Sequence, residues 1–443
     1  MLLAALLLAI TLRLPSVKDT GIMFEIEGVL ARQVLDSRGN PTVEVEVFTS
    51  CGFGRAIVPS GASTGSNEAL ELRDGEAGFG GKTVLRAVNN VNTVIAEKII
   101  GMDVRAQRNI DRTLNSLDGT PNKSHLGANA LLGVSMAVAR AAADSTNMHL
   151  YEYLGGPNAC TLPVPLMNVI NGGAHAGNAL SVQEFFIIPI GAQSFSDALR
   201  MGVETYHELK RVLQAQYGLG ASNVGDEGGF APALPSSFAA LDAIRTAISN
   251  VGYQEEMRLG VDCAASEFYN KVTRTYLMDG KSLSPSKLSD YYKNLVDRYP
   301  IILIEDPFDE EAFEDFAKLT SRLDGTTIVG DDLFVTNVNR LSKGIKLGAA
   351  NALLLKLNQI GTISEAFDAA TLAFRNGYAV VVSHRSGETE DTTIADVAVA
   401  LGSEFIKTGA PARSERNAKY NQLLRIQEFL GDSASFQGRN LQK

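Results

Sequence analysis

Apolar runs that each end in a charged or polar residue, with an amphipathic stretch after each, recur from about residue 162 to the end of this 443-residue chain. The runs are VQEFFIIPI, SNVGDEGGF, LGVDCAASEF, IILIEDPF, TIVGDDLF, ALLLKLN, YAVVVSHRSG and EFIKTGAP. Between them lie helical patterns such as FSDALRMGVETYHELKRVLQAQYG and ISEAFDAATLAFRNG. The later runs end at Glu305, Asp331, Lys356, His384 and Lys407, in steps of 23 to 28 residues. That step holds one strand, one helix and two loops. Near-continuous apolar strands alternating with helices require a parallel sheet covered on both faces. Eight of them predict a closed β/α barrel, whose active site is built from polar residues at the C-terminal ends of the strands.

The segment before the barrel reads differently. In IEGVLARQVLDSRGNPTVEVEVFTS, Val43, Val45 and Val47 point one way and Glu44 and Glu46 the other, around an RGNP turn. That alternation is a hairpin of half-buried strands. GFGRAIVP supplies a third strand, PSGASTG a Gly-Ser loop with little bulk to pack, and NALLGVSMAVARAAAD a helix. The proline-bearing GGPNACTLPVP at 155–165 reads as a linker. The expected organisation is α/β: an extension over 1–22, a small α+β domain over 23–155, and a β/α barrel over 156–443.

Fifty acids against forty Lys and Arg leave a net charge of -10, which argues against a bulk nucleic-acid or anionic-membrane surface. A local cationic pocket is still allowed. Cys51, Cys160 and Cys263 form neither a CxxC nor an even framework, so they read as reduced thiols in a cytoplasmic protein. The opening MLLAALLLAI is too short to span a bilayer, and Arg13 follows it rather than preceding it. It reads as an extension rather than a secretory signal, with a secreted or cell-surface fraction as the alternative. Met23 reads as a second possible start.

The strand ends carry the chemistry. The acids are Glu184, Asp226, Glu227, Asp262, Glu305, Asp306, Asp331 and Asp332; the bases are Lys356, His384, Arg385 and Lys407. On a closed barrel all share one mouth. Converging carboxylates repel unless a cation sits among them, and oxygen-only donors favour Mg2+ over Zn2+. Asp262, Glu305 and Asp331, each the first acid after its run on successive strands, are the expected ligands. Asp306 and Asp332 read as helix caps or loop acids. Arg385 offers a planar donor fork, Ser386 a hydroxyl and Lys407 a point charge, a set suited to a substrate with at least two negative groups. Lys356 stands between the halves. With Arg385 and Lys407 close, it would be partly neutral and act as a base; the alternative is a carboxylate salt bridge or another phosphate contact. His125, His149 and His207 read as structural.

DSRGNPT, VPSGASTG, INGGAHAGN, QEF, GDEGGF, IEDP, GDDL, LLLKLNQIG, SHRSGETEDT and KTGAP occur in this order. By them the chain from about Phe24 to about Phe429 resembles the enolase family. The resemblance implies an enolase-type, TIM-like barrel and reversible dehydration of 2-phospho-D-glycerate to phosphoenolpyruvate and water, a hydro-lyase step of glycolysis and gluconeogenesis. It implies two Mg2+ per site, the second arriving with substrate, and a homodimer, or else an octamer, with no nucleic-acid or membrane partner required. By the family pattern Lys356 takes the C2 proton, and Glu227, assisted by Glu184, protonates the leaving hydroxyl. Asp262, Glu305 and Asp331 hold the first Mg2+; Ser63 and the substrate phosphate hold the second. Arg385 and Ser386 bind the phosphate, His384 shapes that site, and Lys407 binds the carboxylate. His175 and Gln183 close over the substrate, and the PSGASTG loop acts as a mobile lid. Another Mg2+ lyase or racemase of the same superfamily competes with this reading, as does a non-catalytic binding role. The full phosphate-binding set argues against the first, and the intact strand-end charges argue against the second.

Overall fold

The Val-Glu alternation makes the middle strand of a three-stranded antiparallel sheet, β1 (Gly28–Leu35), β2 (Pro41–Phe48) and β3 (Phe53–Ile57). A computed structural model describes residues 22–61, 65–75, 78–173, 177–178 and 180–441. Most of the N-terminal extension, Ser63 and His175 fall outside the described residues. The β1–β2 turn is closed by Asp36, whose Oδ1 accepts the backbone N–H groups of Arg38 (2.9 Å) and Asn40 (2.8 Å), while Gly39 adopts φ 73°. Val43, Val45 and Val47 are fully buried, part of the core that the sheet shares with α1 (Gln107–Asp118) and α2 (Ala128–Ser145). At Gly54 a Cβ would stand 2.0 Å from the carbonyl oxygen of Ala137, so α2 crosses β3 too closely for any side chain. Glu44 and Glu46 face away, as the alternation demands, but are themselves buried beneath Arg32 and Arg55.

The second part is a closed eight-stranded barrel with neighbours in chain order: β4 (Val164–Asn171), β5 (Glu184–Ile188), β6 (Arg258–Asp262), β7 (Ile301–Glu305), β8 (Thr327–Gly330), β9 (Ala352–Leu355), β10 (Ala379–Ser383) and β11 (Phe405–Lys407). Two expectations need correction. SNVGDEGGF is a loop pinned by a Val224–Phe230 bridge, not a strand. The missing strand is VPLMNVIN, whose first two residues close the proline-bearing segment at 155–165 that read as a linker; Pro165 sits near its start, where a missing N–H is tolerated.

Nor is the ring wholly parallel. β5 runs antiparallel to both β4 and β6. Only residues 172–183 separate β4 from β5, about the least a helical crossover takes, and the two pair as a hairpin. Glu184 therefore begins its strand yet lies opposite Asn171 and Asp262, which end theirs. Helices α3 (Phe195–Tyr217) and α4 (Ser237–Val251) fill the return to β6. One long helix then follows each strand: α5 (Pro285–Arg298), α6 (Phe313–Arg322), α7 (Val338–Leu347), α8 (Ile363–Arg375), α9 (Thr393–Leu401) and α10 (Ser414–Leu430). Ser194, Ser236, Ser284, Asn337 and Thr362 cap the starts of α3, α4, α5, α7 and α8 by accepting backbone N–H groups.

The sheet of the first part meets the barrel at the loop after β10. Ser60 bridges Gly387, the N–H of Ser37 donates to Glu388 O at 2.7 Å, and Asp391 accepts the N–H of Ile57 at 3.1 Å and pairs with Arg140. The three cysteines are free thiols. Among the described residues no helix is long and apolar enough to cross a membrane.

Candidate active site

One cavity at the C-terminal ends of the strands is lined by Gln183, Glu184, Glu227, Asp262, Asp331, Lys356, His384, Arg385, Ser386 and Lys407, together with Asp306 and Asp332. Glu305 lies just below, with no exposure. The barrel thus brings together every described residue that was assigned a site role, while Asp226 does not line the cavity.

The acid side is organised by Lys407. Its Nζ donates to Asp262 Oδ2 and Glu305 Oε1 at 2.8 Å each and lies 3.3 Å from Glu184 Oε1. Burial alone would lower its pKa, but Asp262, Glu184, Glu305 and Glu227 outweigh burial and hold it well above the ordinary value. The carboxylates do not gain enough in return. Burial pushes Glu184 well above the usual range, with Glu227 adding, and pushes Glu305 up likewise, with Asp262 adding.

Lys356 pairs with Asp331, whose other oxygen accepts from Gln359 Nε2 at 2.7 Å. Burial, Arg385 and Lys407 all press the lysine toward neutrality, yet the Asp331 charge wins and its pKa is raised. This corrects the expectation of a partly neutral base: the neighbouring cations are present, but the ion pair beats them. Asp331 in turn is held below the usual range by Lys356 against the cost of burial.

Asp306 does the work of a turn clamp, as its loop position implied. Its two oxygens accept the N–H groups of Asp331 (2.9 Å) and Asp332 (2.7 Å) and so aim the end of β8. Burial, with Asp332 and Asp331 alongside, raises its pKa well above the ordinary value.

The cationic side is wired to residues the sequence did not single out. Arg385 NH1 and NH2 grip the two oxygens of Glu68 at 2.8 and 3.2 Å, and NH1 also donates to Asn358 Oδ1 at 3.0 Å. Glu68 accepts the N–H of Gly65 at 3.0 Å, which ties the segment after the Gly-Ser loop to this arginine. Fully buried Arg416, near the start of α10, donates to His384 Nδ1 and to the carbonyls of Arg385 and Ser386, each at 2.6 Å. Asn168, on β4, donates to Glu227 Oε2 at 3.1 Å. Glu68, Asn168, Gln359 and Arg416 were missed. Asn168 would have been found had its strand been recognised; Arg416 carries no local signal, because only the fold buries it.

Carboxylates outnumber cations in this mouth, and Arg385 is already paired with Glu68. Glu305 Oε2 is buried with no hydrogen-bond donor among the described residues. Asp306, Asp331 and Asp332 come close enough to share a cation, as do Glu184, Glu227 and His384. An unbalanced set of hard oxygen donors fits a divalent cation such as Mg2+.

The family model for the N-terminal domain of enolase matches residues 26–154, and that for the enolase C-terminal TIM barrel domain matches residues 159–443. The enolase of Methanothrix thermoacetophila is 65% identical over 415 residues, covering 94% of this chain and 98% of that one. The enolase of Methanocaldococcus jannaschii is 64% identical over 418 residues, with 94% and 98% covered. That of Pyrococcus furiosus is 61% identical over 423 residues, with 95% and 98% covered. With both domains matched and identity this high across nearly the whole length, the chain belongs to the enolase family and its function is that of an enolase, a hydro-lyase.

Proposed function

We propose that the mouth interconverts 2-phosphoglycerate and phosphoenolpyruvate with the following division of labour. Lys356 Nζ removes the proton from C2. Glu227, with Glu184 beside it, gives a proton to the departing hydroxyl. Arg385 and Ser386 receive the phosphate, which joins or replaces Glu68 on the guanidinium. Lys407 receives the carboxylate. Gln183 closes against the substrate, and His175 and the PSGASTG loop, outside the described residues, are assigned to closure by resemblance alone. In this reading residues 23–155 cap the site and residues 156–443 carry it.

Asp262, Glu305 and Asp331 would hold one Mg2+, and Ser63 with the substrate phosphate a second; such ions stabilise the charge that develops on the substrate carboxylate when C2 loses its proton. With Asp331 engaged as a ligand, Lys356 would lose the charge that holds its proton, while Arg385 and Lys407 would still act on it. Both disfavour its protonated form, which makes it a better base. A homodimer in the cytoplasm is the assembly and location we propose.

The observation that carries the reading is the meeting of Lys356, Arg385 and Lys407 with surplus carboxylates at one opening. The test is absorbance of phosphoenolpyruvate formed from purified chain, 2-phosphoglycerate and Mg2+. Product should accumulate, stop on chelation and resume when Mg2+ is restored. A folded, Mg2+-supplied chain that forms no product overturns the proposal.

A further inference from the structure

His384 faces two partners from opposite sides. Its Nδ1 lies 2.6 Å from Arg416 NH1, and its Nε2 lies 3.4 Å from Glu227 Oε2, with no closer hydrogen bond among the described residues. A guanidinium has protons to give and no lone pair to offer, and it stays charged throughout the accessible pH range. Nδ1 must therefore accept. Burial pushes the imidazole pKa down to about 4, against the pull of Glu227, so at neutral pH the ring carries one proton, and that proton is on Nε2. The N–H then points at Glu227 Oε2, which also accepts from Asn168 Nδ2 at 3.1 Å.

We infer that Arg416, which touches no reacting atom, is a positioning residue: it locks His384 as the Nε2–H tautomer and so turns an N–H, rather than a lone pair, toward Glu227. The inference deepens the proposed acid role of Glu227 and rests on it.

Arg416 also anchors the carbonyls of Arg385 and Ser386, and a purely structural role must be told apart. His384→Gln provides the separation, because its amide can donate toward Glu227 without any tautomer to fix. The first readout is nitrogen NMR of histidine-labelled, Mg2+-loaded enzyme at pH 7, with the His384 ring assigned by its loss in His384→Gln. The expected ring has bare Nδ1 and protonated Nε2, and becomes a tautomer mixture in Arg416→Met. A protonated Nδ1 in the unmodified enzyme overturns the lock. The second readout is kcat in a double-mutant cycle. Arg416→Met should cost roughly 30-fold when His384 is intact and less than about threefold in the His384→Gln background, the excess marking coupling through the ring. Equal losses in both backgrounds reduce Arg416 to a backbone anchor and overturn the proposal. If Arg416→Met does not fold, Arg416→Lys takes its place, since one ammonium can satisfy the two carbonyls. Full turnover in Glu227→Gln would remove the acid role separately, with the NMR result unaffected.

Discussion

Two buried lysines end strands of the same barrel, and they are poised differently. Lys407, at the end of β11, is surrounded by Asp262, Glu305 and Glu184. Lys356, just past β9, has Asp331 as its one ion-pair partner among the described residues and two cations pressing on it. Both are desolvated, so burial does not distinguish them; the count of neighbouring carboxylates does. A lysine in a surplus of acids is a fixed charge. A lysine held by one acid becomes a base once that acid is drawn elsewhere.

The difference between the two lysines shows first in turnover. Lys356→Ala should lower kcat by about 10⁴-fold, at the upper end for general-base catalysis, while KM for 2-phosphoglycerate stays within a few-fold. Comparable turnover with and without the amine would show that the proton leaves by another route. Next comes stability without metal. Lys407→Met strands several carboxylates in the interior and should cost about 3–5 kcal/mol in urea unfolding with chelator present, much of it regained in saturating Mg2+. Lys356→Met should cost clearly less. Equal losses would mean that the two sites are not asymmetric.

A third effect is set by His384, whose pKa falls from 6.5 to about 4 on folding. A depressed folded value means the unfolded chain binds the proton more readily, so stability from this ring is present above pH 6.5 and lost as pH falls toward 4. Between pH 7 and pH 5 the unmodified protein should lose about 2 kcal/mol more than His384→Gln. Parallel pH curves for the two proteins would refute the buried neutral ring. The smallest effect separates clamp from ligand. Asp306→Asn should cost about 1 kcal/mol through one spoiled backbone hydrogen bond and leave Mg2+ affinity nearly intact. Asp331→Asn should weaken Mg2+ binding strongly, as read by titration calorimetry.

The barrel and the polar ends of its strands were legible because each strand is buried on both faces and announces itself as an apolar run. Two things were not. VPLMNVIN was hidden by prolines that a strand start tolerates. The reversal of β5 was hidden because an apolar run has no direction; only the short spacing of residues 172–183 hinted at it. Among site residues, strand-end charges stood out by position, whereas Glu68 and Arg416 act from other elements and gain meaning only from what they touch. The charge state of Lys356 was misjudged for a related reason. Sequence names its neighbours but gives no distances, and the single ion pair to Asp331 reverses the sum.

The reversed stave has a practical corollary for anyone altering this scaffold. Elsewhere in the ring, grafting after a strand decorates the catalytic rim and grafting before it reaches the inert base. At β5 the rule flips: changes upstream of Glu184 land on the rim, and changes beyond Ile188 land on the base.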